Sequence, residues 1–215
     1  CRRRARSNAT AWRPDMRLWP SPEAVDGPRS VGGSAGARIR NLRPTRADWH
    51  ASPEDIEQYA YDDRFHGFKL DPVRDGLPDD DELTVLEDVG LPLVLHAGVG
   101  FPPRTAAASI LERDFPVIFA HFGGHPLDRD LMTDAVDLLD EHEDLHLDTS
   151  AVRYRDLLER AVTEHPDRVC FGSGAPTVHP NVAVMEVLTL DVTEDAMRKV
   201  FTKNPVRVIP GLDRA

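Results

Sequence analysis

The sequence predicts an α/β protein in which parallel strands alternate with helices. Between residues 66 and 175, short apolar runs alternate with longer stretches of helical periodicity. Such alternation is typical of parallel βαβ units. The apolar runs are also continuous, as expected for parallel strands that are covered on both faces. An open doubly wound sheet and a closed β/α barrel both fit this pattern, but no Gly-x-Gly-x-x-Gly follows a strand, so a dinucleotide-binding sheet has no support.

The regular pattern begins with a helix over SPEDIEQYA. Ser52 is its predicted N-cap, Pro53 takes the first helical position, and Glu54 and Asp55 place negative charge in the first turn. A strand in HGFKLDP and a helix in DDDELTVLEDVG follow, and Gly90 is the predicted C-cap of that helix.

The remaining elements repeat the same alternation. The predicted strands lie in LPLVLHAG, FPVIFAHFGG, DLHLDTS and RVCFGSG, and the predicted helices lie in RTAAASILERD, DRDLMTDAVDLLDEHE and RYRDLLERAVTEH. Two more helices are predicted near 181–189 and 193–203, and NPVRVI follows them. Residues 47–215 are therefore predicted to form one domain.

Residues 1–46 have a different composition. They carry eleven Arg, no Lys and three acidic residues, whereas the rest of the chain carries 15 basic and 34 acidic residues. The segment is rich in Arg, Pro, Gly, Ala and Ser and has no helical or strand periodicity, which predicts an irregular or disordered segment. A basic nucleic-acid-binding arm, a targeting segment and a non-native stretch joined to a real domain all remain open.

The negative charge of residues 47–215 bears on the expected partners and cellular location of the protein. Its negative charge opposes nucleic-acid binding, and it is typical either of a protein adapted to high salt or of an acidic cytosolic protein. No apolar run approaches the ~20 residues of a membrane span. Cys170 lies in an apolar strand, so a disulfide framework is not expected. We expect a cytoplasmic protein that acts on a small-molecule substrate.

Polar residues recur where the predicted strands end. They are Lys69, His96, His121, Asp148 and Ser173, with Gly174 after the last strand. The carboxyl ends of parallel strands share one rim, and imidazole and carboxylate groups there suit a divalent metal such as zinc. Structural roles are the alternatives: a hydrogen-bonded histidine at each strand end, Asp148 as a helix cap, or Lys69 as an ion-pair partner of Asp71 or Asp148. The sequence assigns no role to the other histidines; it predicts a structural residue at His66 and loop or surface positions for His125, His142, His146, His165 and His179.

Six of these segments together resemble the second half of the amidohydrolase superfamily. GFKLDP, LPLVLHAG, FPVIFAHFGG, LHLDTS, RVCFGSGAP and VFTKNPVRVI occur in that order between about residue 50 and residue 210. They are most similar to the branch of predicted metal-dependent hydrolases that also contains decarboxylases. The resemblance implies a partial TIM-like (β/α) barrel in which these strands are numbers four to eight.

The resemblance also implies roles for individual residues. His96 matches the metal-binding histidine of strand five. His121 matches the strand-six histidine, which is a metal ligand in two-metal members and a catalytic, carbonyl-polarising residue in one-metal members. Lys69, Asp148 and Ser173 would then contact the substrate or support the ligands. The implied cofactor is a divalent metal, zinc in most members.

The chain departs from the family at two places. The family's strand-eight motif is Phe-Gly-Ser-Asp, and Gly174 stands where its Asp binds the metal. The family's first-strand His-x-His is also absent, since no such pair precedes residue 66. Zinc sites normally use three or four protein ligands, so weak metal binding or none is expected. The functional hypotheses are a metal-dependent hydrolase of amides, esters or lactones, a decarboxylase on the same scaffold, and an N-terminally truncated or degenerate relative that is inactive or serves as an interaction module.

Five parallel strands cannot close a barrel. The first and last strands would therefore have open edges, which invite further strand pairing. We expect the N-terminal segment, a second copy of the chain in a homo-oligomer, or a separate polypeptide to cover them.

Overall fold

The computed structural model describes residues 37–38, 52–62 and 65–212 of the chain. In them, six parallel strands form one sheet in sequence order. The strands are β1 (Ala37–Arg38), β2 (Phe68–Leu70), β3 (Leu93–Leu95), β4 (Val117–Phe119), β5 (Leu145–Asp148) and β6 (Val169–Cys170). The predicted parallel α/β architecture is confirmed, and it is consistent with part of a β/α barrel.

The helices lie between and after the strands. They are α1 (Pro53–Ala60), α2 (Pro72–Asp75), α3 (Asp80–Val89), α4 (Pro103–Ser109), α5 (Arg129–Asp137), α6 (Arg155–Glu164), α7 (Pro180–Leu188), α8 (Glu194–Arg198) and α9 (Asn204–Val208). Two 3₁₀ turns, Ala120–Gly123 and Leu138–Asp140, and a π-helical turn, Lys199–Lys203, accompany them. Among the residues described, no helix has the length and apolar character that crossing a membrane requires.

The predicted helix signals at α1 and α3 are confirmed. The Ser52 hydroxyl accepts a hydrogen bond from the Asp55 N–H, and the Asp55 carboxylate accepts one from the Ser52 N–H. Gly90 ends α3 with a φ of 62°, a left-handed conformation that glycine adopts without the cost of a Cβ clash. These local signals fix where the two helices start and stop.

One strand lies within the Arg-rich segment, where the sequence has no strand pattern. Ala37 and Arg38 pair in parallel register with Phe68 and Lys69 of β2. The N-terminal segment thus covers the edge of β2, one of the three arrangements expected from the sequence. The other residues of the predicted irregular segment lie outside the described part of the chain.

The sheet has two faces with different partners. On one face, side chains such as Phe68, Leu95 and Phe119 pack against the helices in the main hydrophobic core. On the other face, Val94 and Ile118 pack with Ile209 at the end of the chain, in a second, smaller core. The C-terminal segment therefore covers part of the face that would line the interior of a closed barrel.

The far edge of β6 is also occupied. The carbonyls of Arg168 and Cys170 accept hydrogen bonds from β5, so the groups of Val169 and Phe171 face the opposite side. There the Asn204 amide donates to the Val169 carbonyl at 2.7 Å, and the Phe171 N–H donates to the Val200 carbonyl at 2.9 Å. The open edge expected at the last strand is therefore partly covered by the chain's own C-terminal helices.

His146 is buried, contrary to the surface or loop position predicted for it. It is 4% exposed within β5 and pairs in register with Ile118, on the sheet face away from the main core. Its Nδ1 contacts the Asp144 carbonyl at 3.0 Å, and its buried Nε2 has no hydrogen-bond partner. Burial, with a smaller contribution from Arg207 and Arg168, lowers the pKa of His146 to about 4.

We predict that His146 makes folding stability depend on pH. Its folded pKa is about 4, below the unfolded value of about 6.5, so the unfolded chain binds the proton more readily. The free energy of unfolding is then lost as pH falls from about 6.5 towards 4, by on the order of 3 kcal/mol. Urea unfolding at a series of pH values should show this slope, and His146→Leu should flatten it.

His142→Leu is the matched control, because His142 lies at the surface of the turn before β5 and is only half-buried. In His142→Leu, the free energy of unfolding should change with pH as it does in the parent chain. Equal slopes in the parent and in His146→Leu would contradict the assignment.

Candidate functional site

Three of the residues singled out in the sequence meet at the carboxyl ends of β3, β4 and β5. His96 directly follows β3, His121 lies in the 3₁₀ turn after β4, and Asp148 is the last residue of β5. The His96 and His121 rings lie edge to face with centroids 5.2 Å apart. The Asp148 carboxylate contacts the backbone of His121. The parallel sheet thus brings together side chains that are 52 residues apart in sequence.

The backbone at His121 has a left-handed conformation. His121 has φ 59° and ψ 34°, and Phe122 has φ 51°. Such angles cost roughly 1–2 kcal/mol for a residue with a Cβ, so surrounding contacts must hold them. The His121 N–H donates to Asp148 Oδ1 at 2.9 Å, which ties this turn to the next strand.

Ser150 connects the Asp148 carboxylate to the His121 ring. Its N–H donates to Asp148 Oδ1 at 2.9 Å, and its hydroxyl donates to the same oxygen. The His121 Nδ1 lies 2.8 Å from Ser150 Oγ and 3.0 Å from the Ser150 carbonyl oxygen. Sequence reasoning did not single out Ser150, although Ser150 lies two residues after Asp148 in the segment LHLDTS.

His125 is a second residue that sequence reasoning missed. Its ring centroid lies 4.3 Å from that of His96 and 5.4 Å from that of His121. The loops after β3 and β4 meet through a bridge between Gly98 and His125, and a Cβ on Gly98 would lie 2.2 Å from the His125 carbonyl oxygen. Glycine at position 98 therefore permits the approach that places His125, an exposed loop residue, beside the two other histidines.

The surroundings of His96 and His125 favour their neutral imidazoles. Burial, followed by the proximity of His121, lowers the pKa of His96 to about 4, and the Asp71 carboxylate opposes this shift. Burial and His121 also lower the pKa of His125, and Lys69 adds to the shift of both. His96 therefore carries a nitrogen lone pair at neutral pH.

The turn after β6 lies next to Ser150. Gly174 has φ 67°, and a Cβ there would lie 3.6 Å from the Ser150 Cβ and 3.4 Å from the Ala151 nitrogen. The position leaves room for a side chain beside the site, at the cost of the left-handed backbone. Ser173, predicted to support the site, makes a local contact in which its hydroxyl accepts from the Ala175 N–H at 3.3 Å.

The comparison with known families decides the assignment. The profile described as Amidohydrolase matches residues 31–211, which is most of the chain. The chain belongs to the amidohydrolase family. The resemblance seen in the six sequence segments is thereby confirmed. A comparison with curated proteins finds no match.

Solved structures agree with the amidohydrolase fold. An uncharacterized TIM-barrel protein from Bordetella bronchiseptica aligns with a TM-score of 0.61 and 19% identity over 80% of this chain and 64% of its own. A 2,6-dihydroxybenzoate decarboxylase from Rhizobium aligns with a TM-score of 0.56 and 16% identity over 81% of this chain and 70% of its own. A dihydroorotase aligns with a TM-score of 0.61 and 16% identity over 81% of this chain and 53% of its own. At such identities the likeness concerns the fold alone. The amidohydrolase chain spans less than two thirds of the first and third of these structures.

The amidohydrolase family is metal-dependent, and the described residues do not fit a complete metal site. His96 and His121 have the chemistry of zinc ligands, but zinc in proteins normally has three or four of them. In residues 37–38, 52–62 and 65–212, no group of three or more His, Cys, Asp or Glu side chains could hold a metal ion. Gly174, for which the sequence resemblance implies an Asp in the family motif, contributes no ligand side chain.

We predict that Gly172→Ala disturbs the site through Asp148. A Cβ at this position would lie 3.0 Å from the Asp148 Cγ and 3.1 Å from its Oδ2, so the carboxylate must shift. The expected cost is about 1–3 kcal/mol in the free energy of unfolding, with a changed amide chemical shift at His121. Urea unfolding and two-dimensional NMR would measure the two effects.

Gly90→Ala is the control for that variant. Gly90 has φ 62° with nothing within 4 Å of an added Cβ, so it reports backbone strain alone. It should lower stability by about 1 kcal/mol and leave the His121 amide unmoved. A His121 shift of equal size in both variants would contradict the proposed contact.

Proposed function

We propose that this amidohydrolase chain takes part in the hydrolysis of an amide, ester or lactone bond in a small molecule, with His121 as the proton-transfer group. The observation that carries the proposal is the fixed position of the His121 imidazole, whose backbone is held by Asp148 and whose ring is held by Ser150. Histidine is the side chain most often used for proton transfer near neutral pH. A group held this firmly needs little reorganisation during the reaction.

The proposed reaction begins with a water molecule beside His121. The water gives a proton to the imidazole while its oxygen forms a bond to the substrate carbonyl carbon. The bond from that carbon to the leaving nitrogen or oxygen then breaks, and the leaving atom takes the proton from His121. The rings of His96 and His125 lie beside the His121 ring, with centroids 5.2 Å and 5.4 Å from it.

We propose zinc as the divalent metal of the complete site, with His96 as one of its ligands. Imidazole nitrogen is among the preferred ligands of zinc. The carboxyl ends of all strands of a β/α barrel meet at one rim, so further ligands would come from the part of the barrel that has no counterpart among the described residues. Lys69 lies near His96 and is proposed to contact the substrate or support the site.

Decarboxylation is the second candidate, because several structures of similar fold carry the name of a decarboxylase, including those for 2,6-dihydroxybenzoate and 5-carboxyvanillate. The third hypothesis, a relative without catalytic activity, predicts neither hydrolysis nor CO₂ release.

We predict that the chain hydrolyses at least one member of a panel of p-nitrophenyl acetate, a γ-lactone and an N-acetyl amide. His121→Gln should lower kcat/KM by on the order of 100-fold, because it removes the proton-transfer group. His142→Gln, a change of the same type away from the site, should retain the parent rate. CO₂ release from 2,6-dihydroxybenzoate, measured in parallel, tests the second candidate.

Equal rates in the parent and His121→Gln would contradict the assignment of His121. CO₂ release without hydrolysis would favour the decarboxylase. If the chain shows neither hydrolysis nor CO₂ release, the conclusion is that it is an inactive relative.

We predict that the chain as it stands binds less than one zinc ion, and that Gly174→Asp raises the zinc content. A side chain at position 174 would begin 3.6 Å from Ser150, and Asp tolerates the left-handed backbone better than most residues. Mass spectrometry of the desalted protein after a zinc soak would measure metal per chain. Gly174→Asn matches the shape and the backbone preference without the charge, so it should bind no more zinc than the parent. Equal zinc content in the Asp and Asn variants would contradict the prediction.

A further inference from the structure

The hydrogen bonds of Ser150 determine which nitrogen of His121 carries the proton. The His121 Nδ1 lies 3.0 Å from the Ser150 carbonyl oxygen. A carbonyl oxygen has lone pairs and no hydrogen, so it can only accept a hydrogen bond. The contact is favourable only when Nδ1 bears a hydrogen.

The Ser150 hydroxyl leads to the same assignment. Its single hydrogen is used in the bond to Asp148 Oδ1, because a carboxylate can only accept. The hydroxyl oxygen, 2.8 Å from His121 Nδ1, is then left with lone pairs to offer to an Nδ1 hydrogen. The carbonyl and the hydroxyl of one residue thus favour the same tautomer of the ring.

Asp148 holds the hydroxyl in that orientation. Asp148 is 5% exposed, and its Oδ1 accepts from the Ser150 hydroxyl, the Ser150 N–H and the His121 N–H. Because Ser150 is itself 1% exposed, water has little access to compete for these bonds. Rotating the hydroxyl towards His121 would remove one of the bonds to a buried carboxylate, which is costly.

We propose that Ser150 and Asp148 are positioning residues that hold neutral His121 as its Nδ1–H tautomer, with the lone pair on Nε2. For its catalytic meaning this inference rests on the proposed hydrolase function. His121 enters the reaction as a proton acceptor at Nε2. It becomes a donor only after it has taken the proton of the attacking water, which it then passes to the leaving atom.

This tautomer changes the role that the family resemblance implies for His121. A neutral ring without a hydrogen on Nε2 cannot donate a hydrogen bond from that atom to polarise a carbonyl. Hydrolysis starts with removal of a proton from water, which such a ring can perform. Replacing a carboxylate with hydrogen requires a proton to be delivered to carbon, which the neutral ring cannot supply from Nε2. The tautomer therefore favours hydrolysis over decarboxylation at this site.

The test is the tautomer itself, measured without substrate. The whole chain is labelled with ¹⁵N-histidine, and two-bond ¹H–¹⁵N correlation spectra distinguish protonated from unprotonated ring nitrogens at a pH where the ring is neutral. The His121→Gln spectrum assigns the His121 signals by their loss. We expect the parent to carry the proton on Nδ1, and Ser150→Ala to raise the Nε2–H population several-fold.

Thr149→Val is the matched control. Thr149 is the adjacent buried hydroxyl, and it bonds to the backbone of Gly172 and not to the His121 ring. The Thr149→Val variant should be less stable than the parent but should have the same His121 tautomer. A parent His121 ring protonated on Nε2 would overturn the proposal whether or not Ser150→Ala folds. An unchanged tautomer in Ser150→Ala, or equal changes in Ser150→Ala and Thr149→Val, would overturn the positioning role of the Ser150 side chain.

The tautomer and the proposed function can fail separately. An Nδ1–H ring in a chain that hydrolyses nothing would support the positioning role and overturn the hydrolase function. In an active chain, Ser150→Ala should lower kcat about tenfold and leave KM unchanged, because Ser150 acts through His121 and does not bind the substrate.

Discussion

The site depends on one carboxylate oxygen, Oδ1 of Asp148. It accepts three hydrogen bonds, one from the backbone after β4 and two from Ser150 after β5. Its burial makes these bonds stronger and their loss more costly than they would be in water. Without them, the left-handed turn that carries His121 would lose its main support, and the imidazole would no longer have a fixed position.

The sheet explains why this oxygen lies where it does. Residues two apart on a strand point to the same face, so Asp148 projects from the face that also carries His146. The last residue of β4, Phe119, is in register with Leu147, the residue before Asp148, which brings the His121 backbone within reach of the carboxylate. Gly172, two residues after the end of β6, leaves the space that the carboxylate fills. The ends of three consecutive strands thus contribute the left-handed turn at His121, the Asp148 carboxylate and the space beside Gly172, all close together.

Part of this arrangement could be predicted from the sequence, because parallel strands bring their carboxyl ends to one rim. That rule places His96, His121 and Asp148 together without any knowledge of the loops. The alternation in LHLD would also have placed His146 inside, two residues before Asp148. His125 could not be predicted, since its position depends on how closely two loops approach at Gly98. The Ser150 contacts depend on a left-handed turn at a histidine, which no sequence pattern signals.

The contacts along the far edge of β6 have a consequence for assembly. Since Asn204 and Val200 already occupy the outward groups of Val169 and Phe171, an incoming strand would have to displace them to pair at that register. Edge-to-edge aggregation, a common failure of proteins with unpaired edge strands, is therefore obstructed on this side by two residues that lie outside the candidate site. A polypeptide that completes the rim would approach without this barrier only where the C-terminal helices leave the strands uncovered.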